Sequence, residues 1–231
     1  MVSNGKHGRR LAAAVLAVSL AGLSLQAEAA TPTASSCRVP DAFLDVSGEL
    51  DRTESLVLRK RPVRVMMLGT GGISHEILEK ALERRMPGSS FDVDVTQSPG
   101  LIEDDFDRMR TVVVQTAPDL IIWQVGVRDA IAASDVDDFE AMLDRASDWV
   151  GQNGPDLLLV DPPFVAQVPH ERIYIPYVGE IAKVSREELI PMLRRYASMR
   201  YLSEKADRLT ADQRPCMPEL VAEAISRAVR P

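Results

Sequence analysis

Imidazole and thiol side chains, the commonest bases and nucleophiles near neutral pH, are few in this sequence. The 231 residues include only three histidines and two cysteines, so a hydroxyl or thiol nucleophile has few bases to work with. One pairing is Ser74 with His75, just beyond the glycine turn Gly69-Thr70-Gly71-Gly72. Adjacent residues at a helix start do not face each other, so Ser74 reads as an N-cap and His75 as an exposed first-turn residue. His170 follows Pro169 in a loop from which an imidazole can reach a cleft, or it is simply solvated. With so few histidines and no cysteine cluster, neither a structural nor a catalytic zinc site is expected. The glycine turn invites a phosphate-cradle reading. However, Ser74 occupies the last place of a G-x-G-x-x-G pattern and no G-K-[ST] follows, so no nucleotide and no other cofactor is expected.

The elements that would position these groups are easier to read. Pro118 to Ala130 runs PDLIIWQVGVRDA, and Leu120–Val125 within it has the unbroken apolar character of a strand buried on both faces. Val63–Leu68 and Leu157–Val160 are similar, and the three are predicted to be parallel neighbours. Phe91, Val93 and Val95 alternate with Asp92 and Asp94, the pattern of a strand near a sheet edge. Helices are predicted between the strands. One has Ile77, Leu78, Ala81 and Leu82 on its apolar face, and a second carries Phe106, Met109 and Val113. A third runs from Phe139 to Val150 and is closed by Gly151, and a fourth spans Tyr177, Ile181 and Val184. Pro218 opens a last one. Val39–Arg61 shows no sustained period and is read as an arm around the domain, and Leu189–Leu193 as a last strand near an edge. Alternating strands and helices imply an α/β fold, a three-layer α/β/α sandwich with a flavodoxin-like parallel sheet of about five strands. Ligands in such sheets bind outside the carboxyl ends of the strands. Gly69–Gly72, Gly126–Asp129 and Asp161–Pro163 should therefore converge on one cleft, with Thr70, Gly71, Arg128, Asp129 and Asp161 as its candidate lining.

Residues 1–30 read as a signal peptide: Lys6, Arg9 and Arg10, an apolar core from Leu11 to Leu25, then Ala27-Glu28-Ala29. Cleavage after Ala29 removes three basic residues and one acidic one, taking the net charge from −7 to −9. The expected organisation is a signal peptide (1–30), a linker and arm (31–61) and one domain (62–231), secreted or periplasmic, with no stable membrane insertion after cleavage. The acidity argues against nucleic acid and anionic membrane surfaces as partners. Cys37 and Cys216 survive cleavage near opposite ends of the chain. In an oxidising compartment they are expected to pair, two free thiols being the alternative.

At the strand ends the sequence resembles the secreted SGNH (GDSL-like) hydrolases, from about Cys37 to the C-terminus. The central stretch is similar to the block that family writes as P-D-L-V-I-W-Q-x-G-x-N-D-A, and Leu193–Arg200 resembles a second region of the same subgroup. The spacing of Val65–Gly69, Gly100 and Leu120–Asp129 agrees as well. The resemblance implies catalytic positions, and most of them do not hold the residue the chemistry needs. Gly71 stands where the nucleophilic Ser is usual, and Arg128 replaces the Asn that helps hold the oxyanion. In the C-terminal Asp-x-x-His, Asp212 is kept but Pro215 stands at the base, and the loop after the first strand is shorter than usual. Gly100 and Asp212 alone match. Asp129 keeps the family's structural Asp. Arg128 is read first as a salt-bridge partner of Asp129 or Asp161, and otherwise as a holder of an anionic group.

Without nucleophile and base, acyl transfer has no machinery. The reading is a catalytically degenerate member acting as a binding or scaffolding module in the cell envelope. Its partners by analogy would be a glycan, an acylated envelope polymer or an envelope protein. The competing reading is an active carboxylester hydrolase using displaced residues such as Ser74, His170 and Asp212. A third is a diverged relative with a filled cleft.

Overall fold

The apolar runs become the middle of one sheet. The computed structural model describes residues 37–45, 47–69, 73–98, 100–165, 171–205 and 216–229. Among these the strands are β1 (Leu44–Asp45), β2 (Val63–Gly69), β3 (Phe91–Gln97), β4 (Leu120–Gln124), β5 (Asp156–Val160) and β6 (Met192–Leu193). Across the sheet they follow the order β1-β6-β5-β4-β2-β3. β2, β4 and β5 are adjacent and parallel as predicted, with β3 parallel at one edge. β6 adds a further parallel strand, and β1 closes the other edge antiparallel to it.

The helices are α1 (Asp51–Leu58), α2 (His75–Arg85), α3 (Ile102–Thr116), α4 (Val127–Ala132), α5 (Val136–Asn153), α6 (Glu171–Glu187), α7 (Arg195–Lys205) and α8 (Cys216–Ala228). Alternation along the strands divides the core into two layers, because successive side chains leave a strand on opposite faces. Val65, Met67, Ile122 and Leu158 pack with Leu78 and Leu82 of α2 and Leu220 and Val221 of α8. Met66, Leu68, Ile121, Trp123 and Leu159 pack with Met109 of α3, Phe139 and Leu143 of α5 and Ile181 of α6. Both faces of the sheet are covered, which is why its central strands tolerate no polar alternation.

Four local expectations are corrected. The stretch 39–61 is part of the fold rather than a featureless arm: it contains β1 and α1. Their short lengths leave too little periodicity to read, and Asp156 on β5 accepts hydrogen bonds from the backbone amides of Arg52 (3.3 Å) and Thr53 (2.7 Å) at the start of α1. α5 runs through Gly151 and ends at Gly154, whose φ of 96° supplies the left-handed cap. α8 begins at Cys216, before Pro218. Ile77 lies on the solvent side of α2, leaving Leu78, Ala81 and Leu82 to face the sheet.

Cys37 and Cys216 form a disulfide with Cα atoms 5.3 Å apart. No helix among the described residues is long and apolar enough to cross a membrane. The proposed signal peptide and residues 31–36 lie outside the described residues.

Candidate functional site

Register sets the site. Leu68 pairs with Trp123 and Gln124 with Val160, so β2, β4 and β5 end side by side at the carboxyl edge of the sheet. Gly69 is there because nothing larger fits. Its φ is 137°, and a Cβ would stand 2.6 Å from the Gln124 carbonyl oxygen, so the last residue of β2 lies directly on β4. Gly69→Ala should lower the unfolding free energy by about 2 kcal/mol or more. A urea midpoint unchanged from wild type would show that the turn is not held this closely.

Gly126 also takes a left-handed conformation (φ 87°) and swings the chain from β4 into α4. The turn brings Asp129 inward, buried, where its Oδ1 accepts a hydrogen bond from the Ile102 amide at 3.1 Å. Burial pushes this carboxyl up, while the Ile102 amide pulls it down. The contact joins the β4 turn to the start of α3. Asp104 Oδ2 accepts from the Leu101 amide at 3.1 Å in the same segment. Gly100 fits beside that carboxylate because it has no Cβ, which would otherwise lie 2.3 Å from Asp104 Oδ2.

Asp161 follows β5 and is 1 % exposed. Its Oδ1 accepts from the Tyr196 amide at 2.8 Å, in the first turn of α7, where an acceptor is favoured. Its Oδ2 has no hydrogen-bond partner among the described residues. Burial pushes its carboxyl up to about 7, outweighing the Tyr196 amide and the nearby Arg195 and Arg194 charges. Arg195, also buried, donates from Nη1 to Gln124 Oε1 at 3.1 Å rather than to Asp161. Burial lowers its pKa, and a guanidinium still keeps its proton.

Asp129 and Asp161 are thus both engaged with backbone amides, and the salt bridge expected from Arg128 to one of them does not form. Arg128 is exposed and has no ion pair or hydrogen bond among the described residues. Ser74 sits at the N-cap position of α2, but its side chain makes no capping bond. His75 is exposed and is the one described histidine. No hydroxyl–imidazole hydrogen bond occurs among the described residues. Thr70, Gly71, Gly72, His170, Asp212 and Pro215 lie outside them.

Two features of this edge were not singled out from the sequence. Asp105 of α3 accepts the Trp123 indole N–H at 2.8 Å, deep against β4, and burial pushes its carboxyl up to about 6. The Arg195–Gln124 contact lies at the end of β4, where Gly69 meets Gln124. A polar residue next to an apolar run, as Gln124 follows Trp123, is the only signal for either.

No curated protein sequence matches the chain. Among solved structures it is similar to Axe2, an acetylxylan esterase from Geobacillus stearothermophilus. That match has a TM-score of 0.56 at 16 % identity and covers 72 % of this chain and 94 % of Axe2. It is also similar to LAE5, an alpha/beta hydrolase enzyme from the metagenome of Lake Arreo, with TM-score 0.57, 14 % identity and coverage of 73 % and 97 %. TesA gives a TM-score of 0.55 at 14 % identity, with 73 % and 98 % covered. At these identities the likeness is one of fold, and it agrees with the parallel sheet and the turns at its carboxyl edge. The model of the Non-GDSL lipase-like family matches residues 36–231. The chain, with its SGNH/GDSL-hydrolase-like fold, belongs to the Non-GDSL lipase-like family.

Proposed function

We propose that this is a secreted SGNH/GDSL-hydrolase-like protein that has lost acyl-transfer chemistry and serves in the cell envelope as a binding or scaffolding module. One observation carries the reading. At the position where the resemblance places an oxyanion-holding Asn, the structure has Arg128, exposed and paired with no carboxylate among the described residues. A neutral amide donor suits a transient oxyanion. A free guanidinium suits a standing anionic group, with its planar fork of donors. Gly71 and Pro215, at the family's nucleophile and base positions, offer no atom that could attack or take a proton. The ligand class is a glycan or acylated polymer of the envelope, or an envelope protein, presenting an anionic group to Arg128. Disulfide and signal-like leader both support an extracytoplasmic location.

The test is a panel of short-chain aryl esters and a serine-directed covalent probe on the purified mature protein. Turnover should stay at background and the probe should not label. Nucleophile and base act as a unit, and removing either costs on the order of 10⁶ in turnover. Gly71→Ser and Pro215→His should therefore each remain inactive, and only the double variant has a route to activity. Robust hydrolysis by the unaltered protein, abolished by Ser74→Ala or His170→Ala, would overturn the reading in favour of an ester hydrolase with displaced residues.

A further inference from the structure

At the amino edge of the sheet, opposite the strand ends described above, a groove of about 470 Å³ opens where the chain enters β2 and β3. Lys60 lies just before β2 and Ser89 just before β3, and between them the Val63 amide donates to the Ser90 carbonyl at 2.9 Å. α1, α2 and α8 all end here. Leu58, Met86, Pro87 and Val229 form an apolar wall, and Leu58 is 63 % exposed. Two cations, Lys60 and Arg85, line the same space, and no carboxylate among the described residues does. Arg85 is already paired with Glu219 and Glu223. Lys60 is exposed and forms no ion pair among the described residues, and neither do Arg59 and Arg61 beside it. In a chain of net charge −7 this is a local reversal of sign.

The backbone gives a second observation. The Arg61 amide donates to the Leu56 carbonyl at 2.9 Å and the Lys60 amide to the Val57 carbonyl at 3.0 Å. This pair of bonds closes α1 and puts Lys60 at the left-handed position that glycine ordinarily fills. Its φ is 52°. A side chain costs stability there, so the fold alone would favour glycine. A strained residue of this kind marks a place where the side chain is used.

Cations near a helix end offset its exposed carbonyls, but that role asks for no apolar wall beside them. A free ammonium next to aliphatic surface suits a molecule with one negative charge and a run of methylenes, which gain from leaving water. A phosphate monoester would bring a second charge with no second free cation in the lining. We infer that this groove binds a single-chain alkyl carboxylate, its head on the Lys60 ammonium and its chain along Leu58, Met86, Pro87 and Val229. The site is independent of Arg128 and of whether the strand-end cleft retains any chemistry.

Titration calorimetry of dodecanoate, below its micellar concentration, into the mature, disulfide-bonded protein tests the inference. Saturable binding of one dodecanoate per chain is expected, with butanoate about a hundredfold or more weaker because most of the methylenes are gone. Lys60→Gln should weaken dodecanoate binding about tenfold, having lost a charge-assisted hydrogen bond. Lys60→Gly should weaken it as much while raising the thermal midpoint, a combination that a merely structural lysine would not give. Leu58→Asn should weaken binding several-fold with the midpoint unchanged, since that side chain is already largely in water. Arg108→Gln/Arg186→Gln, two exposed cations on α3 and α6 across the sheet, should leave binding as it is. No saturable heat with dodecanoate would overturn the inference, as would wild-type affinity in Lys60→Gly. Equal weakening by the Arg108/Arg186 pair, or equal displacement by dodecylammonium, would overturn it too, because the groove would then not be reading the carboxylate.

Discussion

Converting both Cys37 and Cys216 to alanine should lower the unfolding free energy by about 3–5 kcal/mol. The bridge joins residues separated by 179 positions. In the chain-entropy model a loop of that length restricts the unfolded chain by roughly 5 kcal/mol at 25 °C. Residual compactness of the unfolded state takes some of this back. Both cysteines are buried, and α8, which Cys216 opens, packs along α2 and the β2 side of the sheet. The N-terminal segment has other ties to the same helix. The Leu50 amide donates to the Ala228 carbonyl at 3.2 Å, and Arg227 pairs with the exposed Asp41 at 2.7 Å. An exposed ion pair contributes about 0–1 kcal/mol, and one backbone hydrogen bond about 1 kcal/mol. The disulfide therefore dominates. Urea unfolding of the double variant should show a lower midpoint and a steeper slope, because the unlinked unfolded chain exposes more surface, and a loss below about 1 kcal/mol would contradict the entropic account.

What the sequence shows and what it hides follow from how each feature is encoded. β2, β4 and β5 are legible because strands buried on both faces must be continuously apolar, as Val65–Leu68 and Leu120–Trp123 are. β1 is not legible: two residues carry no period, and Leu44 becomes a strand residue only through its pairing with Leu193. The end of α5 was misplaced because Gly151 and Gly154 look alike in sequence, and only the backbone angle separates a helix glycine from a cap. At the site, the glycines and Asp129 are legible through local turn chemistry and the resemblance. Arg195 on Gln124 and Asp105 on Trp123 are not, since each pair meets across different elements. Arg128 shows the opposite failure. Charge complementarity predicted a partner, but Asp129 and Asp161 had already been taken by the amides of Ile102 and Tyr196. A buried carboxylate seeks backbone donors first when a helix start supplies them.

Asp161→Asn should stabilise the protein most at pH 8, by a smaller amount at pH 5, and not at all below about pH 3.8. The carboxyl is pushed from 3.8 in the unfolded chain up to about 7 in the fold. An acid whose folded pKa is raised keeps its proton in the folded state while the unfolded state has lost it. Its contribution is therefore fully present below about 3.8, declines as pH rises, and is lost above about 7. Asp105, pushed up to about 6, acts in the same direction. Asp119 is held low by Arg64 and Arg52 despite its burial. It acts oppositely, and its contribution is lost only as pH falls below the ordinary carboxylate range. Between pH 5 and 8 the raised carboxyls decide the slope, so wild-type stability should fall across that window. The asparagine amide can accept from Tyr196 as Oδ1 does, and it carries no charge to desolvate. At 1.36 kcal/mol per unit the full shift would be worth about 4 kcal/mol. That value already includes the pull of Arg195 and Arg194, and relaxation around a buried charge reduces the cost further, so a net gain of about 1–3 kcal/mol at pH 8 is expected. Chemical unfolding of both proteins at pH 5, 6, 7 and 8 gives the answer. Parallel curves for wild type and variant, or a wild type that gains stability from pH 5 to 8, would mean that Asp161 is already ionised in the fold. Arg195 would then be a stronger partner than its hydrogen bond to Gln124 implies.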